Sequence, residues 1–343
     1  MNADRSHLRV APIDSPVPGR PLQVEIASRA SLRMRIAHAA LRATVRPVVD
    51  RFFAVAEHGP VRGNRAFRVA NYAELLAAPL IAPRGTRRHA VDFDEFRAEW
   101  LWHRGDPGPE AIDRGAILYF HGGAFVAGGL ISHRRLAARI ARAAGCSLLN
   151  VDYRQLPRAH FLDSIDDAVT AYRYLLDRGF AAQRIVFAGD SAGGGVAFAA
   201  ALAARERGLP MPGGIAAIAP FADLDSTARR AHPNERRDAV LSAYALSVPG
   251  RVGFARDGRV DPGWSPVNHE FTGMPTTLIQ VSNTEVLLAD AELLAARCVE
   301  AGVPLTMQIW DNAIHVFQAG ADLLPEARTA IAEIGRFVRR ITR

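Results

Sequence analysis

"VFAGDSAGGGVAFAA", residues 186–200, sets one hydroxyl among glycines where an apolar run gives way to small residues. Gly, Asp and Ser are ordinary turn formers, so Gly189-Asp190-Ser191-Ala192-Gly193 is compatible with a plain turn. The alternative is a nucleophile on a sharp strand-to-helix turn, where only small neighbours fit and the hydroxyl projects outward. Context favours the second. "RIVFAG" (184–189) reads as a buried strand, and the alanine-rich run from Ala192 reads as a helix. A helix N-terminus there adds partial positive charge and free N–H groups beside the hydroxyl. The N–H of Ala192 is then a natural donor to an oxyanion on a substrate carbonyl.

The rhythm around this stretch repeats. "AILYF" (116–120), "SLLNV" (147–151), "GIAAIA" (214–219), "TTLIQV" (276–281) and "PLTMQI" (304–309) read as further buried strands. Helical segments such as "SHRRLAARIARAAG", "SIDDAVTAYRYLLDRG" and "DAELLAARCVEAGV" separate most of them. Such alternation predicts an α/β fold, a mainly parallel sheet with helices on both faces. "VDFDEF" and "AEWLWHRG" (91–104) add an earlier hairpin.

Two regions break the rhythm. Residues 1 to about 85 carry helical stretches, "SLRMRIAHAALRATVRPVVDRFFAVA" and "FRVANYAELLAA", ahead of any expected strand; Pro47 is expected to interrupt the first. The βα pattern also stops over 225–262. An insertion there is placed to cover the C-terminal edge of the sheet, where ligands of parallel sheets bind.

Composition narrows the function. The net charge is +7, and every one of the 42 Lys+Arg residues is arginine. Without lysine there is neither a Walker A loop nor a Schiff-base nucleophile. The arginines are interleaved with acids, as in "ARERGLP" and "NERRDAV", and accompany no nucleic-acid-binding signature. No nucleic-acid partner is expected. Two distant cysteines, Cys146 and Cys298, make neither a disulfide framework nor a metal pair. No run is long enough for stable membrane insertion and no signal peptide is visible, so the expected location is cytoplasmic.

A second motif lies upstream. "LYFHGGAFVAGG" ends a strand in His121-Gly122-Gly123-Ala124, and successive glycines let backbone N–H groups turn into a cavity. The pair "HGGAF" and "GDSAGG", with "VDYRQLP" between them, resembles the hormone-sensitive-lipase-like esterases of the α/β-hydrolase fold. The resemblance covers about residues 90–343. It implies N-terminal cap helices over 1–85, a hydrolase core over 86–224 and 263–343, and a cap insertion over 225–262. It also implies an oxyanion hole from Gly122, Gly123, Ala124 and Ala192, with His121 shaping the loop. Two departures stand out: Ala124 replaces the family's third glycine, and Arg158 in "YRQLPRAHFL" replaces an acidic residue. Altered substrate preference or loop packing is expected from these.

A triad needs an acid and a histidine after the serine, in that order. His315 in "WDNAIHVFQ" follows the last strand, where the family places its histidine. In "SNTEVLLADAEL" the resemblance puts the acid at Glu285, where Asp is more usual, with Asp290 as competitor. Ser282-Asn283-Thr284-Glu285 also fits a capping box, so Glu285 has a purely structural alternative. The expected function is hydrolysis of short- to medium-chain acyl esters through an acyl-enzyme, with a small-molecule ester as partner and no cofactor or metal. A homodimer is compatible with the sequence. Amidase or acyltransferase chemistry shares the same triad, and non-catalytic receptors such as the plant gibberellin receptors share the fold.

Overall fold

A computed structural model of the chain describes residues 8–10, 22–27, 29–59, 64–72, 74 and 81–343. The strands are β1 (Leu8–Val10), β2 (Leu22–Ala27), β3 (Thr86–Asp92), β4 (Arg97–His103), β5 (Ala116–Phe120), β6 (Ser147–Asp152), β7 (Ile185–Asp190), β8 (Gly214–Ile218), β9 (Thr276–Ser282) and β10 (Leu305–Trp310). They form one sheet in the order β1-β2-β10-β9-β8-β7-β5-β6-β4-β3. From β2 to β6 every neighbouring pair is parallel. The pairs β1–β2, β4–β6 and β3–β4 are antiparallel. Among the central strands, β5, β7 and β8 are buried at every residue, which is why they read as unbroken apolar runs.

The helices are α1 (Leu32–His58), α2 (Asn64–Tyr72), α3 (Leu130–Ala144), α4 (Phe161–Asp177), α5 (Ala192–Glu206), α6 (Thr227–Ala231), α7 (Ala243–Val248), α8 (Leu288–Glu300) and α9 (Pro325–Thr342). One face of the sheet packs on α3 and α9 through Leu136, Ile140, Ile334 and Phe337. The other packs on α4, α5 and α8 through Tyr172, Val196 and Leu294. Tyr172 and Phe187, edge to face at 4.8 Å, join α4 to the middle of the sheet. Each such ring contributes about 1.5–3 kcal/mol by leaving water.

Three expectations are corrected. The region before residue 86 is not helical alone: β2 pairs with β10 over Leu22–Ile26, and β1 pairs with β2. β2 lies next to the edge, inside the short β1, with half-exposed residues and polar alternation, so it carries little apolar signal. Secondly, α1 runs through Pro47 without a break. A proline deletes one N–H bond and crowds one turn, and here the helix is held on both sides, by Arg46 and by buried Phe53. Thirdly, the hairpin begins at Thr86, five residues before Val91, because β3 is mostly exposed and its "TRRHA" start is polar. The end of "FRVANYAELLAA" beyond Glu74, like most of residues 1–21, lies outside the described residues.

Parallel strands deliver their following loops to one edge. Residues 121–129, 191, 219–226, 283–287 and 311–317 therefore gather at the C-terminal edge of β5, β7, β8, β9 and β10. The segment after β8 forms α6, α7 and a π-turn, Pro249–Phe254, and α7 packs against α1.

Candidate active site

Ser191 is the single residue between β7 and α5, at φ 53° and ψ −121°. A non-glycine residue rarely sits there, and the strain is held by the surrounding backbone. Ser191 N–H donates to the Ile218 carbonyl at 2.8 Å, and its own carbonyl accepts from Phe221 N–H at 2.8 Å and Gly195 N–H at 3.2 Å. The flanking glycines follow from close approach. A Cβ on Gly189 would run into the Gly193 carbonyl, and one on Gly193 into the Phe120 carbonyl. Ser191 is 5% exposed.

The loop after β5 lies against this turn. A Cβ on Gly122 would strike the Asp190 carboxylate, and Gly123 has φ 127°, so both positions require glycine. Ala124 and Phe125 follow at φ 53° and 62°. Ala124 thus holds the left-handed conformation of the glycine that it replaces, at a cost of roughly 1–2 kcal/mol. Among the described residues, the N–H groups of Gly122, Gly123 and Ala124, and that of Ala192 at the start of α5, have no hydrogen-bond acceptor. His121 is fully buried, stacked on Tyr153 at 4.4 Å, with Nδ1 2.8 Å from the Gly122 carbonyl. Burial, reinforced by nearby His133, pushes its pKa down to about 4, so it is neutral. Its carbonyl accepts from the Tyr153 hydroxyl at 2.6 Å. His121 is thus built into the floor of the loop.

His315 lies in the loop after β10, its Nδ1 2.6 Å from Glu285 Oε1. Burial by itself would lower the imidazole pKa, but the hydrogen bond and charge of Glu285 outweigh it and hold it above 6.5. Glu285 is 1% exposed, and its second oxygen accepts from Ser282 N–H at 2.7 Å. The capping-box contact and the histidine contact coexist, one on each carboxylate oxygen. Helix α8 begins only at Leu288, so the box closes a turn before the helix. Asp290 is elsewhere engaged. Its carboxylate takes Arg229 at 2.8 Å and the N–H groups of Ala222 and Asp223 at 2.9 Å. Among the described residues no hydrogen bond joins the Ser191 hydroxyl to His315.

An alpha/beta hydrolase fold family model matches residues 117–319. Esterase LipU of Mycobacterium tuberculosis is 40% identical over 273 residues, 78% of this chain and 91% of its own length. An acetyl-hydrolase of Streptomyces hygroscopicus is 37% identical, covering 71% of this chain and 80% of its own. A crystal structure of an esterase from the bacterial hormone-sensitive lipase family superposes with a TM-score of 0.75 at 32% identity, covering 87% of this chain and 98% of the other. The chain belongs to the hormone-sensitive-lipase-like esterases. It is a serine carboxylesterase/lipase-like hydrolase of the α/β-hydrolase fold.

Around its candidate residues this esterase has supports that the sequence did not single out. Asp190, buried, accepts from the Tyr119 hydroxyl at 2.5 Å and lies 3.3 Å from His133 Nε2. Burial would raise the Asp190 pKa, but His133 outweighs it and holds the carboxylate ionised. Asn283 stitches the acid loop to the histidine loop: its amide donates to Asp311 Oδ1 at 2.9 Å and its oxygen accepts from Asn312 N–H at 2.8 Å. Asp311 Oδ2 in turn accepts from Ala30 N–H, just before α1. Asn and Asp in a loop look like turn residues in any sequence, so these contacts left no signal. A cavity of about 850 Å³ lies on the far side of the loop 121–129 among Arg68, Glu74, Glu95, Arg97 and Arg154. It is charged and contains neither Ser191 nor His315, so it is not an acyl site. Among the described residues no helix is long and apolar enough to cross a membrane.

Proposed function

We propose that this esterase hydrolyses short- to medium-chain acyl esters of small alcohols through Ser191, His315 and Glu285. One observation carries the proposal: a buried 2.6 Å Glu285–His315 contact at the same sheet edge as a serine held at positive φ. His315 Nε2 takes the Ser191 proton as the hydroxyl oxygen attacks the ester carbonyl. The oxyanion is received by the N–H groups of Gly122, Gly123 and Ala192, with Ala124 beside them. His315 returns the proton to the departing alcohol, leaving an acyl-Ser191 ester. Water, deprotonated by His315, attacks that ester and releases the carboxylic acid. Glu285 keeps the proton on Nδ1 and stabilises the imidazolium at each transfer.

The acyl preference is supported by the similarity to an acetyl-hydrolase, and a ring cluster links the cap to the loop that carries Ala124. Phe125, next to Ala124, packs at 5.9 Å on Phe221 and at 5.5 Å on Phe254. Phe221, in the loop after β8, donates its N–H to the Ser191 carbonyl, and Phe254 comes from the segment 225–262. These buried rings join the segment 225–262 to the loop beside the nucleophile. We place the cap in the helices α1 and α2 and in 225–262, acting on chain length through α1, α7 and Phe254. The test is hydrolysis of 4-nitrophenyl esters from acetate to laurate by wild type and Ser191→Ala, with fluorophosphonate labelling. Turnover should be highest with short acyl groups, absent in Ser191→Ala, and accompanied by a label on Ser191. Full activity with Ser191 unlabelled would refute the mechanism.

A further inference from the structure

The segment 225–262 does more than approach the site from above. Asn234, 2% exposed, donates its side-chain N–H to the Glu285 carbonyl at 2.9 Å. Asp238, 1% exposed, accepts from Val286 N–H through Oδ2 at 2.8 Å. Its other oxygen accepts from Val240 N–H at 2.7 Å and Leu241 N–H at 2.8 Å. The peptide group that follows the Glu285 side chain is therefore gripped at both its carbonyl and its N–H by two buried polar residues of the insertion. The insertion is itself anchored: Arg46 of α1 donates to the carbonyls of Asp238 and Glu235, and Ser242 donates to Asp50.

A buried carboxylate beside another carboxylate is an expensive choice for a mere loop brace. Burial first, and the Glu285 charge second, push the Asp238 carboxyl up to about 6. A neutral amide could hold the Val240 and Leu241 N–H groups without that repulsion. An aspartate adds negative charge that also reaches His315, where it favours the imidazolium together with Glu285 and Asp190.

We infer that Asp238 is a positioning residue for the catalytic pair, fixing the Glu285 loop and adding to the field at His315, so that the 225–262 segment completes the active site. This rests on the triad proposed above. Through Arg46 it also makes the seating of α1 a condition for a competent acid.

The test uses the full chain with Asp238→Asn. Asn Oδ1 keeps acceptors for Val240 and Leu241, while its NH₂ faces the Val286 N–H. Turnover of 4-nitrophenyl acetate and melting temperature are measured from pH 5 to 9. The expected result is a kcat lower by roughly tenfold or more with KM little changed. The acid limb of kcat/KM should also move to lower pH by about half a unit or more, because negative charge facing His315 is lost. A brace without catalytic consequence would lower the melting temperature and leave kcat and the acid limb at wild-type values; that outcome overturns the inference. If Asp238→Asn does not fold, Asn234→Ala decides. It removes the donor to Glu285 without touching a charge, and should lower kcat while leaving KM and the limb in place; an unchanged kcat there also overturns the inference. Ser191→Ala and Glu285→Gln run alongside: retained turnover in either would remove the triad itself, a failure distinct from that of Asp238.

Discussion

Consider Glu285→Gln, a change of one oxygen to an NH₂ at constant shape. The wild-type carboxylate serves two donors, the His315 imidazole at 2.6 Å and Ser282 N–H at 2.7 Å. A glutamine has one acceptor oxygen. If that oxygen stays on the Ser282 N–H, its NH₂ points at His315 Nδ1 and selects the tautomer protonated on Nε2. That tautomer cannot take the serine proton. If the amide flips, two N–H groups confront each other at Ser282 in a buried site, and the imidazolium still lacks a counter-charge. Either way the loss is on the order of 10⁴ in kcat, about 5.5 kcal/mol of transition-state stabilisation. Folding should change far less. Removing the Glu285 charge also relieves Asp238, whose carboxyl it helps to raise to about 6, which offsets the lost hydrogen bond. A net stability change within about 1–2 kcal/mol is expected. The assay is 4-nitrophenyl acetate turnover, with melting temperature and the rate of fluorophosphonate labelling. Turnover within about tenfold of wild type would show that Glu285 is only a loop residue.

Gly193→Ala should prevent folding or cost about 4 kcal/mol or more, since its Cβ meets the Phe120 carbonyl, whereas Gly208→Ala, at φ 67° with open space, should cost only about 1 kcal/mol by denaturant unfolding. Arg229→Ala should destabilise by about 3–5 kcal/mol, because it strands the fully buried Asp290 carboxylate; Arg229→Met with Asp290→Leu should recover much of that. The acid limb of kcat/KM should lie above 6.5, because catalysis needs neutral His315 and Glu285 raises its pKa against burial; a limb at or below 6.5 would contradict the pairing. The same raised pKa stabilises the fold fully below 6.5, an increment lost as pH rises through the folded value. Activity and this increment thus run in opposite directions with pH.

The central sheet was legible because burial on both faces leaves a composition that cannot be mistaken: "AILYF" and "RIVFAG" have no solvent side to encode. That Ser191, Glu285 and His315 share one edge of the sheet was legible because each follows a strand, where a parallel sheet delivers its loops. What stayed hidden has a common cause. β2 lies next to one edge of the sheet and β3 at the other, with polar outward residues, and Asp238, Asn234, Asn283 and Asp311 are turn-type residues whose distant partners are 28 to 281 positions away. A local pattern records what a residue does for its own backbone, not what it does for a distant one. Glu285 shows both at once, since a capping-box oxygen and a histidine-facing oxygen share one carboxylate.

The end of the sheet made by β1 and β2 has a consequence for engineering. β2 is hydrogen-bonded to β10, the strand that leads into the His315 loop, and Ala30 N–H then holds Asp311 in that loop. Ser31 N–H reaches Glu326 at 2.7 Å, and Met34 is fully buried beneath the same corner. A chimera that exchanges the N-terminal segment for another esterase's, with a single junction inside α1, would strip a strand from the sheet and a tether from the base. Two junctions inside α1, the first beyond Met34, leave residues 22–34 with the hydrolase half and trade only the outer turns of the helix.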